Sequence, residues 1–252
     1  MEVKNHIILL LDILGYKNLV KECKSIDEQN ELLEEIHGLM SKLSWFINES
    51  NRIHDTYPDR GCNMTDFKYF IFSDNIVFFA PYESETEMLN LTMNLCVGLS
   101  EFLFRYQKRN LFFRGAITKG LLYFDEKLPL LFGTGLVDVY TMESEKAKTP
   151  RILVDNCLAS PILSEFKKDE DGLYFLDYLE SGFALFRRSQ KQKDAFAIIH
   201  NQKNAIENML RLHSDNSHIF EKYLWLARYH NQFCIKHTIE DILEGLEEQI
   251  NG

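Results

Sequence analysis

Ile7-Ile8-Leu9-Leu10-Leu11-Asp12-Ile13-Leu14-Gly15-Tyr16 and Phe70-Ile71-Phe72-Ser73-Asp74-Asn75-Ile76-Val77-Phe78-Phe79 are the stretches that decide the fold. Each is an apolar run with one carboxylate at its tip. An acid at the end of a buried strand is costly unless something pairs with it. Asp12 and Asp74 on neighbouring strands meet that cost if they share divalent ions. Strand-borne aspartate pairs with two metal ions act on nucleoside triphosphates in several folds.

Outward from these runs, periodicity assigns the elements. Residues 6–13 read as a buried strand, short and aliphatic. Residues 29–55 read as a helix, with Leu32, Leu33, Ile36, Leu39, Met40, Leu43, Phe46 and Ile47 at helical spacing. Residues 56–66 hold Pro58, Gly61 and Asn63 and read as a loop. Phe67–Phe72 and Ile76–Ala80 form a hairpin about a tight Ser-Asp-Asn turn. Residues 85–108 read as a second amphipathic helix. Leu111–Thr118 is a further strand, with Gly120–Phe124 expected to pair with it. The order β-α-ββ-α-β(β) predicts an α+β, ferredoxin-like, palm-type sheet with helices on one face. Beyond it, residues 133–147 are expected to be helical, and Arg151–Val154 and Leu173–Leu179 to be strands. Residues 191–212, 217–236 and 238–250 are expected to form helices.

Composition narrows the chemistry. The 252 residues are 45% hydrophobic and carry a net charge of -10, with no basic run, so nucleic acid is not expected as a partner. Five scattered cysteines without a CxxC read as reduced thiols. No run approaches a membrane span, and the N-terminus enters a strand directly. A cytoplasmic protein is expected.

Strand alternation puts Phe70, Phe72 and Asp74 on one face. Gly15, with Tyr16 after it, lets the backbone turn closely around a phosphate before the next helix. The bland alternatives are that Asp12 caps that helix and Asp74 is a turn residue. Joint placement on a palm-like order favours metal binding.

At these residues the chain resembles the class III nucleotide cyclase homology domain. Asp12-Ile13-Leu14-Gly15-Tyr16 is followed by a hairpin with a central Asp. Phe113-Arg114-Gly115-Ala116-Ile117-Thr118-Lys119-Gly120 is similar to that family's Arg-x-Gly-Ile-x-x-Gly strand. Phe132-Gly133-Thr134-Gly135-Leu136-Val137-Asp138-Val139-Tyr140-Thr141-Met142-Glu143-Ser144 is similar to its Trp-Gly-x-x-Val-Asn helix. The chain departs from purine cyclases at three positions: Phe70 replaces the base-selecting Lys, Val137 the transition-state Asn and Thr141 the transition-state Arg. End to end, with Pro150-Arg151-Ile152 and Lys222-Tyr223-Leu224-Trp225-Leu226-Ala227-Arg228-Tyr229-His230-Asn231, the chain resembles the bacterial pyrimidine cyclases of the Pycsar antiphage system.

The resemblance implies a cyclase homology domain over residues 1–155 and a mostly helical extension over 156–252 packed on it. It implies a homodimer with composite sites that converts UTP, or less readily CTP, to the 3′,5′-cyclic monophosphate. The product would act on a separate effector. Asp12, Asp74 and the Ile13 carbonyl would hold two Mn²⁺ or Mg²⁺ ions, and Arg114 would contact phosphate. Gly15, Tyr16, Tyr69, Phe70, Thr134 and Tyr140 would line the nucleotide. For Tyr69 and Phe70 the alternative is core filling. Tyr140 and Glu143 share a helix face and would serve the partner's site or the helix itself. Arg151 would reach phosphates or Glu143, and Asp169-Glu170-Asp171 reads as a solvated loop. A competing reading is a degenerate module that binds nucleotide or protein without turnover. A diguanylate cyclase is disfavoured, because Ser73-Asp74-Asn75 stands where that family has Gly-Gly-Asp/Glu-Glu-Phe.

Overall fold

A computed structural model describes residues 2–55, 67–106, 111–160, 166–188 and 192–244. The loop expected over 56–66 lies outside them. Strand β1 (Lys4–Ile13) runs antiparallel to both β3 (Asn75–Pro81) and β4 (Phe113–Asp125), and β2 (Lys68–Phe72) flanks β3. The resulting order β2-β3-β1-β4 is the ferredoxin-like arrangement. Helices α2 (Ile26–Asp55) and α3 (Glu85–Tyr106) are its two crossovers. The fold is α+β.

Local sequence starts both crossover helices. At α2 the Glu28 amide donates to Ser25 Oγ (3.1 Å), while Glu28 Oε2 accepts from the Lys24 and Ser25 amides. At α3 the Glu87 amide donates to Ser84 Oγ, and Glu87 accepts from the Glu83 amide. These reciprocal caps satisfy amide donors that a helix start leaves open. The first box starts α2 three residues ahead of the apolar periodicity, at Ile26 rather than residue 29. Leu43, Phe46 and Ile47 of α2 and Leu95, Leu99 and Phe102 of α3 are buried. The burial of β1 from His6 to Ile13 explains its unbroken apolar sequence.

One expectation about the middle of the chain is overturned and another refined. Gly120–Phe124 does not fold back on Leu111–Thr118; the two are one continuous strand, β4, whose far end pairs with β5 (Leu130–Phe132). Gly120 is a point of close approach. A Cβ there would lie 2.5 Å from Cα of Gly135, where α4 (Thr134–Thr141) begins its crossing of the sheet. The helix expected over 133–147 is α4 followed by a π-helical turn at Met142–Lys146.

The sheet continues past residue 155. Strand β6 (Ile152–Val154) joins β4 in parallel, and β8 (Tyr174–Leu176) and β7 (Phe166–Lys168) follow antiparallel. A short helix, α5 (Asn156–Ala159), sits between β6 and β7. Leu173–Leu179 is a strand only to Leu176, after which α6 (Tyr178–Arg188) begins. Helices α7 (Gln192–Leu212) and α8 (Ser217–His237) form a hairpin. Residues 238–244 are not helical, and Thr238 ends α8 at φ 55. The hairpin docks back on the sheet through Tyr223 against Phe112 and Trp225 and Tyr229 against Phe175. No helix among the described residues is long and apolar enough to cross a membrane.

Candidate active site

Register brings the polar side chains at the ends of the three central strands to one point. Asp12 lies opposite Asn75 on β3 and Arg114 on β4. The two-residue turn Ser73–Asp74 joins β2 to β3, and Ser73 takes a left-handed φ of 58. That turn sets the Asp74 carboxylate within hydrogen-bonding reach of Asp12. Arg114 Nε donates to Asp12 Oδ2 at 2.6 Å, and its Nη2 lies 3.0 Å from Glu143 Oε1. Two carboxylates, Asp12 and Glu143, thus share one guanidinium, and Asp74 adjoins them.

The cluster is electrostatically overloaded with acid. Burial pushes the Asp12 carboxyl up to about 6; the Arg114 hydrogen bond and charge oppose this, and Asp74 and Glu143 add to it. Burial likewise raises the Glu143 carboxyl, with Arg114 opposing and Asp74 reinforcing. Glu143 Oε1 has no hydrogen bond despite its ion pair, an orphaned acceptor in the interior. Glu143 reaches this position because it sits in the π-helical turn, where the widened register separates it from Tyr140. Glu143 is 3% exposed and Tyr140 59% exposed, so the two do not share a face.

A divalent ion fits this donor set. Asp12, Asp74 and the Ile13 carbonyl are hard oxygen donors of the kind that bind Mg²⁺ or Mn²⁺. Two carboxylates held close enough to share a proton gain most from a cation between them. Among the described residues no three acidic, His or Cys side chains form a complete cage.

The other candidate residues divide. Gly15, at φ 79, ends the β1 turn and accepts from the Asn18 and Leu19 amides as α1 (Tyr16–Glu22) begins. Phe70 and Phe72 share the face of Asp12 through the registers Phe70↔Val77↔Leu10 and Phe72↔Asn75↔Asp12. Tyr69 does not: it pairs with Phe78 and packs on that ring at 5.5 Å, on the opposite face of the sheet. Tyr16 is half-buried and lines a cavity of about 430 Å³ with Ile71 and Ser73, on that same far side. Thr134 and Tyr140 are exposed on α4.

Arg151 turns out to be structural. It is buried and held by Asp169 and Asp171, with its guanidinium 5.8 Å from the Trp225 ring. Trp225 Nε1 also donates to Asp169 (2.8 Å). The acidic loop 169–171 is therefore an anchor for β6 rather than a merely solvated turn, because a buried guanidinium demands carboxylate partners.

Sequence reading gave Glu143 no firm place and Lys148 and Lys222 none. Lys222 lies on α8 and feels the charges of Arg114, Lys148 and Asp12. Its only sequence signal is that it opens the Lys222-Tyr223-Leu224-Trp225 motif.

Among solved structures the chain is similar to a monomeric double mutant of the guanylyl cyclase domain of the RhoGC fusion protein from the aquatic fungus Blastocladiella emersonii. The identity is 14%, the match covers 69% of this chain and 96% of that one, and the TM-score is 0.44. No family model and no curated protein matches the chain.

Proposed function

We propose that the chain is a metal-dependent nucleotide cyclase that acts on a pyrimidine triphosphate, UTP before CTP. The observation that carries this is the meeting of Asp12, Asp74 and Arg114 at adjacent strand ends of a ferredoxin-like sheet. In the reaction the ribose 3′-oxygen attacks the α-phosphorus and its proton passes to solvent. The bond from the α-phosphorus to the bridging oxygen breaks, and pyrophosphate leaves. Asp12, Asp74 and the Ile13 carbonyl would hold divalent ions, which would supply Lewis acidity toward the 3′-oxygen and the phosphates. Arg114 orients Asp12 and would face phosphate with the guanidinium edge that Glu143 occupies here. Phe70, half-buried on the face of Asp12, occupies space beside the base and suits a single-ring nucleobase.

Exposed apolar groups support a dimer. Phe132 of β5 and Val137 and Tyr140 of α4 are each about 60% exposed, large side chains that a second copy would cover. The cyclic product would serve as a second messenger for a separate antiphage effector.

One observation favours binding without turnover as the second reading. Thr141, where purine cyclases carry the transition-state Arg, turns its hydroxyl back to the Val137 carbonyl at 2.9 Å. Incubation with Mn²⁺ and ATP, GTP, CTP or UTP, read by mass spectrometry, separates the two. The cyclase reading expects a cyclic pyrimidine monophosphate from the wild type and none from Asp74→Ala. Nucleotide binding with no product selects the second reading.

A further inference from the structure

A cavity of about 680 Å³ lies between α1 and the α7–α8 hairpin, within the usual range for small-molecule sites. Leu14 and Gly15, the residues just past Asp12, form one wall. The polar lining comprises Lys17, Asn18 and Glu22 from α1 and its flank, and His213, His218 and Lys222 from the hairpin. Lys17 and Lys222 have no ion-pair or hydrogen-bond partner among the described residues, although the chain carries ten more acidic than basic side chains. Lys222 is half-buried. Burial lowers its pKa, and Arg114 and Lys148 lower it further against the pull of Asp12. Arg114 is already paired with Asp12 and Glu143, and Glu22 is the one acid in the lining, so Lys17 and Lys222 are the ammonium groups left to meet an anion in this cavity.

We propose that the α7–α8 hairpin is part of the active site and that Lys222, with Lys17 across the cavity, grips the outer phosphates of the nucleoside triphosphate. This rests on the cyclase reading and extends it to the C-terminal helices. Lys222 comes from the same chain as Asp12, and its ammonium would neutralise charge on the departing pyrophosphate. It thereby supplies the cation that Thr141 does not.

The test compares wild type, Lys222→Gln, Lys222→Arg and Lys17→Gln in two assays. The first is turnover of UTP with Mn²⁺. The second is binding of inorganic tripolyphosphate and of uridine 5′-monophosphate by calorimetry. Loss of one charge-assisted phosphate contact is expected to lower tripolyphosphate affinity and kcat/KM about 10- to 100-fold. Monophosphate affinity should stay unchanged, and Lys222→Arg should recover most of the loss. Unchanged tripolyphosphate binding in Lys222→Gln, with turnover intact, overturns the inference and leaves the cyclase reading standing. A wild type that turns over no nucleotide overturns the cyclase reading. Tripolyphosphate binding that depends on Lys222 would then still establish the cavity as an anion site.

Discussion

Asp12 carries a conflict between stability and function. Its carboxyl is lifted from the usual carboxylate range to about 6. A carboxyl raised on folding contributes stability that is fully present below its unfolded value and is lost as pH rises through about 6. At pH 7.5 the ionised group therefore opposes folding, and Asp12→Asn should melt a few degrees higher than wild type, about 2–4 °C per kcal/mol for a chain of this size. The difference should vanish near pH 4, and thermal unfolding followed by circular dichroism at the two pH values reads it. Mn²⁺ should raise the midpoint of the wild type and leave Asp12→Asn unmoved. An Asp12→Asn protein that melts lower at pH 7.5 would show that the Arg114 ion pair outweighs burial and acid crowding.

At this scale the neighbourhood of Asp12, Asp74 and Arg114 was legible, because Asp12 and Arg114 sit on strands whose register can be counted and Asp74 sits in the tight turn beside them. Sequence reading misplaced Tyr69, which alternation alone puts opposite Phe70 and therefore away from Asp12. It could not find the buried place of Glu143, since a π turn breaks the 3.6-residue period by which helix faces are counted. Arg151 was misjudged for another reason: its partners, Asp169 and Asp171, come from a loop that no local pattern ties to β6.

Among the elements, the contact between α4 and the sheet is a tight constraint. Gly120 and Gly135 meet back to back, and a Cβ on Gly135 would also strike Cδ1 of Ile8 at 2.5 Å. Gly120→Ala should destabilise by about 1–3 kcal/mol, as overpacking does. It should also shift α4 and with it Glu143, lowering turnover more than the stability loss explains. Urea titration and steady-state kinetics on the same preparation check both. Unaltered stability would mean that the helix is free to ride up. The legible elements were those with a sustained period, namely β1, the β2–β3 hairpin and the two crossover helices. Gly120 was read as the start of a separate strand because glycine interrupts strands as readily as it serves close packing, and only the tertiary neighbour distinguishes the two. Helix α6 was hidden because its first residues continue the apolar run of β8.

Across the whole molecule, the C-terminal helices pack against the sheet and its crossover helix. β8 pairs with β6, Gly182 of α6 packs on Phe104 of α3, and Tyr223 of α8 packs on Phe112. Residues 1–155 alone would expose the edge of β6 and these aromatic faces. That fragment should be insoluble or lack a cooperative thermal transition, whereas the full chain should unfold in a single step. A soluble fragment 1–155 with its own sharp transition would show instead that the extension is an appendage. The continuity of the sheet was not legible, because strands of three residues leave no periodic trace.

The most direct test of the central claim is the stoichiometry of UTP turnover with Mn²⁺ in wild type, Asp12→Ala and Asp74→Ala. Cyclic uridine monophosphate and pyrophosphate forming one to one in the wild type, and neither forming in the two variants, is the result this account predicts. Release of inorganic phosphate or uridine monophosphate in place of the cyclic product, or cyclic product that survives either substitution, would contradict it.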